Sequence, residues 1–193
     1  MSNIFLTMLS VILAENLIFT KMFGLSPFIK DSDKPSRALG MGVALTAVMT
    51  LSSVLTYVAY RYALVPLKLE LLRTVVCVMI IALAAWLIGL RLKHFTPTLY
   101  GSLSLALPLS AVNCASMGAV LLNVKMHSSI ADSALFGFAA GIGFTLALVI
   151  FAGVRAKMIL SDPPKSFKGF PILLIAAGLI AMAFSGFAGM SFS

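Results

Sequence analysis

Long apolar runs separated by short polar connections dominate the chain. A membrane-spanning helix needs about 20 largely apolar residues, and counting on that scale gives six spans. They run roughly Ile4–Phe23, Ala38–Ala59, Leu71–Leu90, Leu99–Val124, Ala134–Val154 and Phe170–Phe192. Outer-membrane barrel strands would alternate with period two, and no such alternation is visible. The pattern predicts an all-α membrane protein, one compact bundle of six transmembrane helices over residues 1–193, with connections too short for a soluble domain.

Two spans break the pattern. Span 4 contains Ala106-Leu-Pro-Leu-Ser-Ala-Val-Asn-Cys-Ala-Ser-Met-Gly118, which places Pro108, Asn113, Cys114 and Gly118 inside an apolar run. Proline removes a backbone donor and kinks a helix, and an unpaired amide in hydrocarbon is costly. Irregular backbone at membrane depth survives only where protein or a cavity surrounds it. The expectation is a broken helix at the centre of the bundle, with Cys114 at the break. Span 1 carries a similar set, with Glu15 and Asn16 in its middle and Gly24, Ser26 and Pro27 near its end. An ionisable residue at that depth is a functional candidate by default. A protonated Glu15 bonded to a neighbouring carbonyl is an equally good reading.

Asn16 and Asn113, Gly40 and Gly137, and Ala14 and Ala111 stand at one common offset. The six spans then divide into halves of about 1–95 and 96–193, each opening on a broken helix. Three spans per half is odd, so the second half enters the membrane from the opposite side. That is an inverted 3+3 repeat, a plan in which sites form near the midplane from discontinuous helices.

Composition agrees with this picture. The chain is 61% hydrophobic and 10% charged with a mean hydropathy of +1.08, well outside the range of soluble domains. The net charge of +8 would suggest nucleic-acid binding in a soluble protein. Here the basic residues sit at span ends as anchors toward lipid headgroups, and no nucleic-acid partner is expected. Lys30, Lys34, Arg37, Arg91, Lys93, Arg155, Lys157, Lys165 and Lys168 follow spans 1, 3 and 5, against Arg61, Lys68, Arg73 and Lys125 on the other side. This bias places the first group in the cytoplasm and both termini outside. The N-terminus has no basic region or small-residue cleavage site, so span 1 is expected to be retained.

Candidate chemistry is sparse. Cys77 and Cys114 form neither a zinc spacing nor a disulfide framework, and His94 and His127 read as solvated loop residues. No phosphate loop, Ser/His/Asp set or paired carboxylates appear, so the chain is not expected to be catalytic alone. Gly137-Phe-Ala-Ala-Gly141 permits close helix contact, with ordinary bundle packing as its plainest role. Trp86 suits either an interfacial anchor or an interior position.

Gly24-Leu-Ser-Pro-Phe28 together with Leu109-Ser-Ala-Val-Asn-Cys-Ala-Ser-Met-Gly118 resembles the RnfA subunits of Rnf electron-transport complexes and the related NqrE subunits of sodium-pumping NADH:quinone reductases. The resemblance covers essentially the full length, including Ala38-Leu-Gly-Met-Gly42, Thr96-Pro-Thr-Leu-Tyr100, Ala119-Val-Leu-Leu-Asn123 and Phe167-Lys-Gly169. It implies a six-helix subunit of a bacterial or archaeal cytoplasmic membrane. Its partners would be a homologous RnfE-like subunit of opposite topology and the other Rnf subunits, B, C, D and G. The resemblance further implies that the homologous pair shares a [2Fe–2S] cluster, two cysteines from each member. Electrons then pass between ferredoxin and NAD, coupled to translocation of sodium or protons. Carried onto this chain, the cluster-binding positions are Cys114 and Ser26, with Asn16, Gly24, Leu25 and Asn113 around them. Four ligands, usually cysteines, hold such a cluster, and one chain with at most one cysteine per broken helix cannot supply them alone.

Two positions depart from the family pattern. Ser26 stands where the family has cysteine, and an alkoxide is a harder, more basic ligand than a thiolate. An introduced Cys→Ser change, an oxygen-ligated natural variant, and a lineage with an altered or absent cluster are all open readings. Glu15 stands where the family more often has asparagine, which raises a link to ion movement. Cys77 has no broken-helix context and reads as a small buried hydrophobe. Other function classes consistent with the pattern are a small inverted-repeat secondary transporter, which has no need of Cys114, and a structural subunit that has lost its cluster.

Overall fold

The computed structural model describes residues 8–12, 16, 18–21, 23–24, 32, 35–66, 70–95, 114–126, 129–158, 164 and 169–186. Among them lie six α-helices and no strand. Helix α1 is described over residues 8–12; α2 is Pro35–Ala59, α3 Arg73–Phe95, α4 Cys114–Met126, α5 Ile130–Met158 and α6 Phe170–Ser185. In lipid every backbone N–H and C=O must be paired within the protein, and apolar runs of this length meet that demand as helices. A rise of 1.5 Å per residue makes α2 about 37 Å and α5 about 43 Å long, more than the ~30 Å hydrocarbon core.

Helices α2, α3 and α5 overrun their apolar windows. Helix α2 starts at Pro35 and continues as a π-helical turn over Tyr60–Leu64, closed by Val65 N–H donating to the Tyr60 carbonyl at 3.1 Å. Helix α3 follows a 3₁₀ turn at Glu70–Leu72 and continues past Leu90 to Phe95. Hydropathy marks the hydrocarbon slab, whereas a helix carries on into the headgroup region while its carbonyls still have partners. Helix α5 extends span 5 at both ends. It starts with a cap in which Asp132 N–H donates to Ser129 Oγ at 3.1 Å while that hydroxyl donates to Asp132 Oδ2 at 2.7 Å, and Arg155 and Lys157 complement the helix dipole in its last turn. Helix α6 begins after Gly169 (φ 93°) with Pro171 in its first turn. It ends at Ser185, short of the expected Phe192; residues 187–193 lie outside the described set.

Helices α2 and α5 form the centre of the bundle, antiparallel and in close contact. A Cβ on Gly42 would meet the Thr145 side chain, with Oγ1 at 2.7 Å; a Cβ on Gly141 would meet Thr46, with Cα at 2.6 Å; one on Gly137 would lie 2.7 Å from Ser53 Oγ. Small residues thus let the two backbones approach. In hydrocarbon this close packing replaces the hydrophobic effect as the force between helices. Thr46 and Thr145 touch at 3.1 Å between hydroxyl oxygens, and each also reaches a carbonyl one turn back, Gly42 O and Gly141 O, at 2.8 Å. Each hydroxyl has one proton, so only one of the pair at a time can donate across the crossing.

Around this pair, buried Met41, Leu45, Val48 and Met49 of α2 pack with Cys77 and Ile81 of α3, Val120 of α4 and Phe144, Leu148 and Phe151 of α5. Cys77 is a buried free thiol, as a small hydrophobe would be. Phe184 of α6 lies on Phe19, ring centroids 4.6 Å apart. Val75, Met79, Leu83, Trp86 and Leu90 line one exposed face of α3, so Trp86 points away from the interior of this chain. Such a face suits lipid or a neighbouring protein.

Candidate functional site

The site is built where the chain leaves α1. Asn16 is fully buried and no longer helical. Its amide nitrogen donates to the Gly143 carbonyl of α5 at 2.9 Å and to the Ile12 carbonyl at 3.1 Å. Its Oδ1 accepts from Ile18 N–H at 3.0 Å and, more weakly, from Phe19 N–H at 3.4 Å. Its own carbonyl accepts Thr20 N–H at 2.9 Å. One side chain therefore receives the donors of the turn at residues 18–21, holds a carbonyl of α1, and ties both to α5. An isolated amide in hydrocarbon would be expensive; here every lone pair and proton has a use.

From that turn the chain reaches Phe23 and Gly24. Gly24 has φ +81°, a conformation that disfavours residues with a Cβ. A Cβ there would also lie 2.9 Å from Ala115 Cβ and 3.0 Å from Phe144 Cε2. Two independent constraints thus require glycine. Phe23 fills the space over Gly118, where a Cβ would lie 2.5 Å from the ring. Gly24 and Gly118 together let the first broken segment lie against the start of α4.

Cys114 is the first residue of α4, and its sulfur accepts the Gly24 N–H at 2.9 Å. The first-turn N–H groups of this helix lack intrahelical partners. Cys114 as a residue is exposed. Among the described residues no three His, Cys, Asp or Glu side chains gather as a metal site.

The structure therefore brings Gly24 onto Cys114, while Asn16 is anchored to Gly143, the neighbour of the Phe144 that faces Gly24. Ser26, Leu25 and Asn113 lie outside the described residues, as do Glu15, Pro108 and His127, and the side chain of His94 is not described. Two participants carry no mark in the sequence: Gly143, acceptor for Asn16, and Phe23, which covers Gly118. Gly143 has no signal of its own, because its role is a backbone carbonyl presented to a distant amide.

The Rnf-Nqr family model, described as "Rnf-Nqr subunit, membrane protein", matches residues 4–191. Proteins named as the A subunits of ion-translocating oxidoreductase complexes are similar along the whole chain. Those of Actinobacillus pleuropneumoniae serotype 5b and Hahella chejuensis are each 40% identical over 190 residues, and that of Alcanivorax borkumensis is 42% identical over 191 residues, with 98% of both chains covered in every case. A match of that extent, spanning a junction where Asn16, Gly24 and Cys114 all have defined work, settles the kinship: the chain belongs to the Rnf-Nqr family of membrane subunits.

Proposed function

We propose that this chain is a membrane subunit of an ion-translocating oxidoreductase complex, and that Cys114 supplies one ligand of a [2Fe–2S] cluster shared with a homologous subunit of opposite topology. The observation that carries this reading is Cys114, an exposed residue at the start of α4 whose sulfur accepts the Gly24 N–H at 2.9 Å. When bound, such a cluster accepts and releases one electron at a time. Backbone N–H groups directed at ligand sulfurs are the usual means by which a protein tunes a cluster's potential. The residues fit a shared group and not a private one, since this chain's other cysteine, Cys77, is buried in α3.

In this reading Asn16 and Gly24 are positioning residues. Asn16 fixes the turn at residues 18–21 against α5, and Gly24 brings its N–H to the Cys114 sulfur. Ser26 occupies the family's other cysteine position. As a harder oxygen donor it would lower both cluster stability and potential relative to cysteine. Three further elements complete the proposal. They are the RnfE-like partner with the other subunits B, C, D and G, the orientation with both termini outside a bacterial or archaeal cytoplasmic membrane, and coupling to sodium or proton movement.

Iron content and low-temperature EPR of the reduced, purified complex test it, comparing the native chain with Cys114→Ala and Ser26→Cys. A [2Fe–2S] signal that is lost in Cys114→Ala and shifts to higher potential in Ser26→Cys is the expected result. An unchanged signal in Cys114→Ala would remove Cys114 from the ligand set. No iron at this site in the native chain, with iron acquired by Ser26→Cys, would instead favour a structural subunit whose cluster has been lost.

A further inference from the structure

A second polar site lies in the half of the bundle where α4 ends and α5 begins, well away from Cys114. Four side-chain polar atoms there, Ser53 Oγ, Thr56 Oγ1, Asn123 Oδ1 and Ser133 Oγ, are buried without a hydrogen-bond partner among the described residues. Their residues are at most 2% exposed. They come from α2, α4 and α5, and the contacts bring them to one junction. Asn123 Nδ2 donates to the Ser53 carbonyl at 3.1 Å, and Ser53 Oγ lies 2.7 Å from where a Gly137 Cβ would stand. The antiparallel register of α2 and α5 then puts Thr56, one turn beyond Ser53, level with Ser133, one turn before Gly137. Ser133 is in the first turn of α5, beside exposed Asp132.

Buried polar groups left dry are destabilising, and four in one place in a membrane protein call for an occupant. We infer that this junction of Ser53, Thr56, Asn123 and Ser133 binds a cluster of internal water, entering the bundle from the membrane face where α5 begins. The chemistry selects water over a cation. Asn123 Oδ1 needs a donor, whereas each of the three hydroxyls has a proton to give as well as lone pairs to fill. Water meets both needs, and one buried water commonly makes about three hydrogen bonds. A bare cation on these oxygens would need the hydroxyl protons to turn to backbone carbonyls, as those of Thr46 and Thr145 do, and none of Ser53, Thr56 and Ser133 makes such a bond. The site also contains no carboxylate among the described residues to offset a cation's dehydration, because Asp132 is exposed and bonded to Ser129. From Cys114 to Asn123 helix α4 rises about 14 Å. One end of this short helix therefore carries Cys114 while the other rests on water instead of dry packing.

The test uses the intact purified complex. A density map fine enough to show ordered water should contain peaks within hydrogen-bond reach of Asn123 Oδ1 and the hydroxyls. Thr56→Val and Ser133→Ala remove hydroxyls with little change of shape, so both should fold. If the hydroxyls are hydrated, each change lowers the melting temperature of the complex by a few degrees, equally in sodium and in choline salts. If the hydroxyls are dry, removing them leaves the melting temperature unchanged or raises it; that result, with no density at the junction, overturns the inference. Stabilisation of the native complex by sodium that disappears in Thr56→Val would also overturn it, replacing water with a cation.

Discussion

Replacing Asn16 with leucine is the most informative single change. Leucine has a similar size and no polar atoms, so the cavity is filled while the bonds disappear. Three close contacts are lost, to Gly143 O at 2.9 Å, Ile18 N at 3.0 Å and Ile12 O at 3.1 Å, along with the longer one to Phe19 N. Side-chain hydrogen bonds inside membrane proteins are worth about 0.6 kcal/mol on average and up to ~1.7. A buried group stripped of its partner costs about 1–3 kcal/mol. Asn16 is wholly buried, so the three close contacts together should amount to about 2–5 kcal/mol. For a chain of this size 1 kcal/mol corresponds to roughly 2–4 °C. The melting temperature of the complex should therefore fall by about 4–20 °C, and the Gly24–Cys114 contact, which depends on the turn after Asn16, should loosen with it. Scanning calorimetry or fluorescence melting of the purified complex measures the first effect; a redox titration of the iron signal measures the second. A variant that melts with the native protein and keeps its potential would refute the view that Asn16 holds the break together.

Gly24→Ala faces both a left-handed backbone, at about 1–2 kcal/mol, and contact with Ala115 and Phe144, at a further ~1–3; weaker retention of the chain in the purified complex is expected, with a changed cluster potential. Gly141→Ala drives a Cβ to within 2.6 Å of the Thr46 Cα, where backbone must yield, and should abolish accumulation of the protein in membranes. Gly89→Ala and Gly153→Ala meet nothing within 4 Å and should be neutral or improve stability by up to ~1 kcal/mol through helix propensity, a contrast that one immunoblot of membrane fractions reads. Ser129→Ala removes the cap of α5 and should cost about 1 kcal/mol, seen as a modest drop in melting temperature with electron transfer unchanged.

The helices were legible because their cause is local. Hydrocarbon forces apolar runs into helix, and in α2, α3, α5 and α6 only the ends moved, as at Pro35, Phe95 and Ser185, where partners for the last carbonyls matter more than hydropathy. Asn16 and Cys114 were legible as polar or reactive groups with no reason to sit in lipid, and Gly24 through the family motif that carries it. The reciprocal crossing of α2 and α5 was legible only on one side, where Gly137-x-x-x-Gly141 marks a close helix contact. Gly42, Thr46 and Thr145 are ordinary residues for a membrane helix, and their meaning arises only when two distant segments meet. Asn123 stood out as part of a motif, but its orphaned oxygen depends on Ser53, Thr56 and Ser133 arriving from other helices. The same holds for the Gly143 carbonyl, which no reading of side chains reveals.

The threonine crossing has one more consequence. Gly42-x-x-x-Thr46 of α2 meets Gly141-x-x-x-Thr145 of α5, glycine to threonine both ways, so the pairing of residue types is kept if the two helices trade places. A surface that fits itself under a two-fold rotation is what an isologous dimer uses. Two copies of a single three-helix segment, inserted in opposite directions, would already find each other through it. Such a contact also ties α2 and α5 in heredity: a larger residue at 42 is tolerated only if Thr145 shrinks, whereas at 141 the Thr46 backbone itself bars any side chain. Substitutions at 42 and 145 should therefore be inherited together, and 141 should stay glycine.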